Sequence, residues 1–192
     1  MAKRSSLFAV VAGLLVTTAT AFAAGEIIVS VPDQELGLIE RGKTIARYPV
    51  STSKFGIGDG VGTYRTPKGA MYVSEKLGDG LPAGAVIKSR IATGEVIAAN
   101  APGRDPIVSR LLWLRGKEGQ NQHARDRCIY IHGTAEEKLI GRRASFGCIR
   151  MKSKDVIELY NRVHIGTPVN ISEKRLAEFL PVEEPTLLAR QD

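Results

Sequence analysis

Two side chains in this sequence have the types and spacing to do covalent chemistry together. His132 and Cys148 stand near the two ends of a compact run, Ile129 to Met151, which reads IYIHGTAEEKLIGRRASFGCIRM. The nucleophilic form of cysteine is the thiolate, and neighbouring cations or an imidazolium favour it by lowering the thiol pKa. Cys148 follows Gly147 and precedes Arg150, with Arg142 and Arg143 a few residues upstream. A small residue just before the thiol leaves the backbone N–H groups of Gly147 and Cys148 free to point at an oxyanion. These features describe a Cys–His acyl-transfer site with His132 as general base and acid. A second reading stands beside it on residue types alone: a Cys that is a small buried hydrophobe and a His that is a structural hydrogen-bonding group.

Alternation predicts the strand that carries the histidine. Ile129 and Ile131 face one way, Tyr130 and His132 the other. Gly133 is expected to end that strand, which puts His132 at its exit, where side chains commonly line a cleft. A short polar, helix-like stretch from Ala135 to Ile140 and a break at Gly141 lead to the thiol loop, Ser145 to Arg150. Upstream, Ile27–Val31, Gln34–Ile39 and Thr44–Val50 read as strands, the last two joined by a hairpin turn at Arg41-Gly42. Met71–Ser74 and Ala85–Ile87 are short strands separated by a turn, Glu95–Ala99 is a further apolar stretch, and Trp113 in Val108–Leu114 is expected in the core. Lys54–Gly62 (KFGIGDGVG) is a glycine-rich connection near the cleft. His123 falls in a polar loop, Gly116–Arg127, as a solvated residue or part of a lid. Downstream, Ser153-Lys154-Asp155 caps a helix with an apolar face of Val156, Ile157, Leu159, Tyr160 and Val163. His164 ends that helix as a partner for its dipole, and Val169–Ile171 closes the sheet.

HG followed by SxGCIRM resembles the signature of the L,D-transpeptidase (YkuD-type) family of peptidoglycan cross-linking enzymes. Tyr48-Pro49-Val50-Ser51-Thr52 resembles that family's YPVSTG-like strand, Thr66-Pro67-Lys68-Gly69 its TPxG turn, and Gly166-Thr167-Pro168-Val169 its closing strand. The resemblance runs in the family's order from about Glu26 to Ile171. It implies that Cys148 is the nucleophile and His132 the general acid and base, with the Gly133 carbonyl orienting the imidazole and Gly147 in the oxyanion hole. It implies a substrate-binding role for Arg150, which a structural ion pair would equally explain, and a hydrogen-bonding role near the substrate for Ser145. Many members carry a His directly before the Gly-Cys; here that position is Phe146.

Composition bounds the rest. The chain is long enough for one domain with a sizeable core. Lys3 and Arg4, an apolar stretch from Leu7, and Ala21-Phe22-Ala23 form a secretory signal over residues 1–23, with an uncleaved membrane anchor as the alternative. A catalytic domain is expected over 24–171 and a tail over 172–192. Losing Lys3 and Arg4 lowers the net charge from +7 to +5, which suits an acidic polymer such as a carboxylate-rich wall; no nucleic-acid motif accompanies it. Gly37–Thr44 spells the phosphate-loop pattern GxxxxGK[ST], but Pro49 stops the segment that would have to be its helix. No nucleotide site follows, no metal-ligand spacing appears, and no cofactor is implied. Cys128, four residues before His132 on the expected strand, is predicted to pack as a small core residue out of reach of Cys148, leaving both thiols free. Cys148 is expected to label faster than Cys128 with iodoacetamide.

The expected fold is mainly β: an L,D-transpeptidase catalytic-domain-like β-sandwich, or barrel-like sheet pair, with one or two short helices. The expected function is an exported, cysteine-dependent L,D-transpeptidase. It would act on peptidoglycan stem peptides, forming 3-3 cross-links or attaching a lipoprotein to the wall. The rivals are an L,D-carboxypeptidase or amidase on the same scaffold, and a non-catalytic wall-binding protein.

Overall fold

The computed structural model describes residues 25–179; the expected signal and most of the expected tail lie outside that range. In chain order the described elements are β1 (Glu26–Ser30), β2 (Glu35–Glu40), β3 (Lys43–Pro49), β4 (Gly69–Leu77), β5 (Ala85–Lys88), β6 (Ile91–Val96), β7 (Ile107–Gly116), β8 (Tyr130–Thr134), β9 (Ile149–Met151), α1 (Ser153–Arg162) and β10 (Pro168–Ser172). The fold is mainly β, as expected, with one α-helix. Short 3-10 turns at Gly119–Asn121, Glu137–Leu139 and Leu176–Phe179 complete it.

The β2–β3 hairpin turns through Arg41 and Gly42, both left-handed at φ 50° and 73°, the geometry that matches strand twist in a two-residue turn. Lys43 and Thr44 pair with Glu40 and Ile39 as the first residues of β3. The phosphate-loop pattern is therefore a hairpin, and no helix N-terminus exists there to hold a phosphate.

The pairings run β3-β2-β1-β10-β4-β7, with β1·β10 parallel and the others antiparallel. β7 is the hub of the molecule. Its C-terminal half pairs with β4, Ile107 and Val108 pair with β5, and β8 pairs along both parts. The register against β8 shifts between Val108 and Leu111, where Ser109 is left-handed at φ 66°; a bulge of this kind lets one strand bend between two partners. β9 joins β8 in parallel. Arg150 of β9 then exchanges both backbone hydrogen bonds with Ser51, at 2.9 Å each, and Ser51 lies just beyond β3. Together with a second bridge, Ser53 to Ser145, this ties the segment after β3 to β9 and the thiol loop before it.

The interior follows from alternation. Ile27 and Val29 of β1, Leu36 and Leu38 of β2, Leu112 and Leu114 of β7, Ile131 of β8, and Ile149 and Met151 of β9 join Val156 and Leu159 of α1 in one buried cluster. Each such side chain contributes roughly 1.5–3 kcal/mol on burial. The other face of β1 and β2 presents Ile28 and Ile39, which Leu176 and Phe179 cover.

Two local expectations are corrected. The apolar stretch read at Glu95–Ala99 is in part the end of an edge strand, β6, whose six residues from Ile91 to Val96 are all exposed. The Ser-Lys-Asp sequence does not cap α1 by its own side chains: Lys152 is the N-cap with no side-chain bond. The Ser153 N–H instead donates to the Glu137 carboxylate at 2.8 Å. An acceptor brought by another segment meets the helix's unpaired donor, which local sequence could not reveal.

Candidate active site

The parallel pairing of β8 with β9 brings the two reactive residues together. Ile131 lies opposite Ile149, and His132 opposite Arg150. Extending the register back one residue sets Cys148 beside Tyr130, so Cys148 and His132 project from the same face of neighbouring strands. Strand spacing and rise put their Cα atoms about 8 Å apart, within combined reach of a thiol and an imidazole. β8 runs on to Thr134 and does not end at Gly133 as expected. His132 is consequently mid-strand and 6% exposed. Gly133 keeps the pairing tight: a Cβ there would lie 2.4 Å from the Val108 carbonyl oxygen.

The imidazole is oriented from its own strand. His132 Nδ1 lies 2.8 Å from the Gly133 carbonyl oxygen; a carbonyl accepts only, so Nδ1 carries the proton and Nε2 is left as the base. Burial lowers the His132 pKa to about 4, helped by the Arg150 charge, while the Gly133 carbonyl and Asp105 oppose it. Burial also pushes the Cys148 thiol up to about 11, against the Tyr130 backbone N–H, Arg150 and Arg127, which favour the thiolate. Desolvation of the charged form therefore works against the cation activation expected from sequence. The thiol points its hydrogen at the Cys128 carbonyl, 3.4 Å away. Burial thus disfavours the charged form of both groups.

The supporting residues hold the thiol loop from below. Ser145, fully buried, donates to the Cys148 carbonyl at 2.6 Å and accepts the Gly147 N–H at 3.3 Å. Through these two bonds it positions the thiol loop from behind. The Gly147 N–H is thus engaged rather than free, by a long and replaceable bond. Gly147 itself is left-handed at φ 120°, and its carbonyl accepts from buried Thr66 at 2.9 Å. Arg150 is 8% exposed and paired with Asp105 at 2.6 Å and Glu136 at 3.5 Å. Of the two roles open to it from sequence, the structural ion pair is the one observed. Asp105, Glu136 and the Tyr130 N–H were not singled out by the sequence, since nothing local marks partners supplied from distant strands; Thr66 was marked only as part of the TPxG-like turn, not as a partner of Gly147.

Cys148 opens into a cleft of about 230 Å³ lined by Val61, Gly62, Tyr64, Asp126, Arg127, Ile129 and Phe146. The glycine-rich loop is therefore at the cleft, as expected. Arg127 clamps it, pairing with Asp59 at 3.1 Å and donating to the carbonyls of Gly58 and Arg65. His123 belongs to this clamp through its backbone N–H, which donates to Asp59 at 2.7 Å, and His164 is exposed beyond α1. Cys128 corrects another expectation. It precedes β8 in a turn, left-handed at φ 55°, and is exposed rather than in the core. The backbone bonds of Cys128 to Arg125 and of Ile129 to Ala124 make the turn that rotates its side chain outward. Both cysteines are free. Among the described residues no group of three or more His, Cys, Asp or Glu could hold a metal ion.

Residues 24–171 match the YkuD family, an L,D-transpeptidase catalytic domain. The chain is 34% identical over 90 residues to a putative L,D-transpeptidase, YqjB, of Bacillus subtilis, covering 46% of this chain and 48% of that protein. It is 39% identical over 83 residues to the putative L,D-transpeptidase YkuD of the same organism, covering 43% and 51%. The aligned segment thus spans about half the length of each of these relatives. In fold it is similar to an L,D-transpeptidase from Mycobacterium smegmatis, with a TM-score of 0.53 at 17% identity over 78% of this chain and 59% of the other. With the family's model matched over residues 24–171, most of this chain, the chain belongs to the L,D-transpeptidase catalytic-domain family.

Proposed function

We propose that the chain is an exported acyltransferase that cuts and rejoins peptidoglycan stem peptides through a thioester on Cys148. The observation that carries the reading is the common face of β8 and β9, on which His132 and Cys148 sit with the imidazole proton held at Nδ1. His132 Nε2 takes the Cys148 proton as the sulfur attacks the carbonyl of the third stem residue, a diamino acid. Because burial disfavours the charged form of each group, proton transfer accompanies attack. The Tyr130 N–H supports the developing thiolate, and the Cys148 N–H, joined by that of Gly147 when it leaves Ser145, takes the oxyanion. The bond to D-alanine breaks, with His132 returning the proton to the leaving amine. An acceptor amine then attacks the thioester, forming a new amide and releasing the thiol. A stem amine gives a 3-3 cross-link, a lipoprotein amine gives wall attachment, and water gives the carboxypeptidase outcome.

Export rests on the basic start, the apolar stretch and the Ala21-Phe22-Ala23 site, and it would place the enzyme in the periplasm or at the wall. The test of function is incubation of the purified protein with disaccharide-tetrapeptide, with Cys148→Ala alongside and products read by mass spectrometry. The expected product is a dimer lacking one D-alanine, absent with the variant. Tripeptide alone would point to the hydrolase. No Cys148-dependent product and no acyl adduct on Cys148 would overturn the proposal.

A further inference from the structure

Beside the nucleophile stands a group of exposed rings that the catalytic steps do not use. Phe55, Tyr64 and Phe146 are 45%, 56% and 54% exposed, yet they pack on one another with ring centroids 5.7–6.0 Å apart. Tyr64 and Phe146 also line the cleft that holds Cys148. The Lys54 ammonium lies over Phe146 at 4.4 Å and Phe55 at 5.3 Å, and no carboxylate among the described residues pairs with it. Tyr64 is held left-handed at φ 57°, a costly conformation for an aromatic residue. The Ser53 hydroxyl donates to its carbonyl at 2.6 Å and the Arg127 guanidinium to that of Arg65 at 2.6 Å. The loop is thus built to present this ring outward, where water would otherwise disfavour it.

We infer that Lys54, Phe55, Tyr64 and Phe146 form a saccharide platform that grips the glycan end of the donor stem; the inference rests on the reading of the substrate given above. A pyranose ring offers a flat face of C–H groups edged by hydroxyls. A flat aromatic surface with one unpaired ammonium at its rim complements it, whereas a lipid or an apolar peptide would have to desolvate that ammonium for nothing. The distance also fits. Three extended stem residues separate the attacked carbonyl from the saccharide by about 10 Å. Phe146 is two residues from Cys148, within about 7 Å, and the Phe55 ring centroid is 5.7 Å from that of Phe146. Tyr64 and Phe146, which line the Cys148 cleft, join the platform to the reacting centre.

The test measures binding in full-length Cys148→Ser, which cannot turn over through a thiol, by calorimetry with purified disaccharide-tetrapeptide and with the tetrapeptide lacking its sugars. The disaccharide-tetrapeptide should bind about tenfold more tightly. Adding Phe55→Ala and Tyr64→Asn, which leaves a residue tolerant of the left-handed backbone, should erase that difference. The affinity for the bare tetrapeptide should stay within about twofold. Equal affinities before the ring substitutions, equal weakening of both ligands after them, or no binding of either ligand would overturn the platform. An unmodified protein that shows the sugar preference yet forms no product would overturn the transpeptidase reading and leave the platform standing.

Discussion

At the residue scale, burial governs both members of the dyad. His132 has its pKa lowered from 6.5 to about 4, so the unfolded chain binds a proton there that the folded chain refuses. Stability from this group is fully present above pH 6.5 and is lost as pH falls toward 4, by up to about 3 kcal/mol. Urea midpoints at pH 7 and pH 4.5 should differ accordingly, and His132→Gln should shrink the difference; an unchanged difference would remove His132 as its source. The raised Cys148 thiol makes a second prediction that replaces the order expected from sequence. Exposed Cys128 should react with iodoacetamide before Cys148 near neutral pH, and the Cys148 rate should climb as pH approaches 11. Peptide mapping after a short pulse decides it, and faster labelling of Cys148 at pH 7 would show that the cations outweigh burial after all.

At the element scale, β9 is three residues long and is fixed by charge as well as by pairing. Arg150 is tied to Asp105, which also accepts the Thr134 hydroxyl and the N–H groups of Ala135 and Glu136. One carboxylate thereby joins β8, β9 and the loop before β7. Asp105→Ala would leave a buried guanidinium with only the longer Glu136 contact, and should cost about 3–5 kcal/mol, read as a drop in Tm. A loss below about 1 kcal/mol would mean that water replaces the carboxylate. The same change should lower kcat more than it raises KM, since β9 delivers the thiol without touching substrate. The strands and turns at this scale were largely legible: alternation marked β1, β2, β3 and β8, and Arg41-Gly42 marked the hairpin. The Glu137 cap on α1 and the left-handed turn at Cys128 were not, because their determinants are tertiary contacts.

At the scale of the whole molecule, the surface charge and the cleft act together. A basic chain meeting an acidic wall polymer is attracted over a Debye length, about 8 Å at physiological ionic strength. Sedimentation with isolated sacculi should therefore weaken severalfold between 50 mM and 500 mM salt, while Tm changes little. Salt-independent sedimentation would place recognition wholly in short-range contacts such as the aromatic platform.

The sequence by itself determined the mainly β class, the pairing of His132 with Cys148, and the exclusion of a phosphate loop, because each depends on periodicity, turn chemistry or a contiguous motif. Only the tertiary structure decided the ionisation of the dyad, the ion-pair role of Arg150, the buried position of Ser145, the exposure of Cys128, and the gathering of Phe55, Tyr64 and Phe146 around Lys54. Desolvation and pairing depend on what distant segments bring within a few ångströms, and a linear order of residues does not contain those distances.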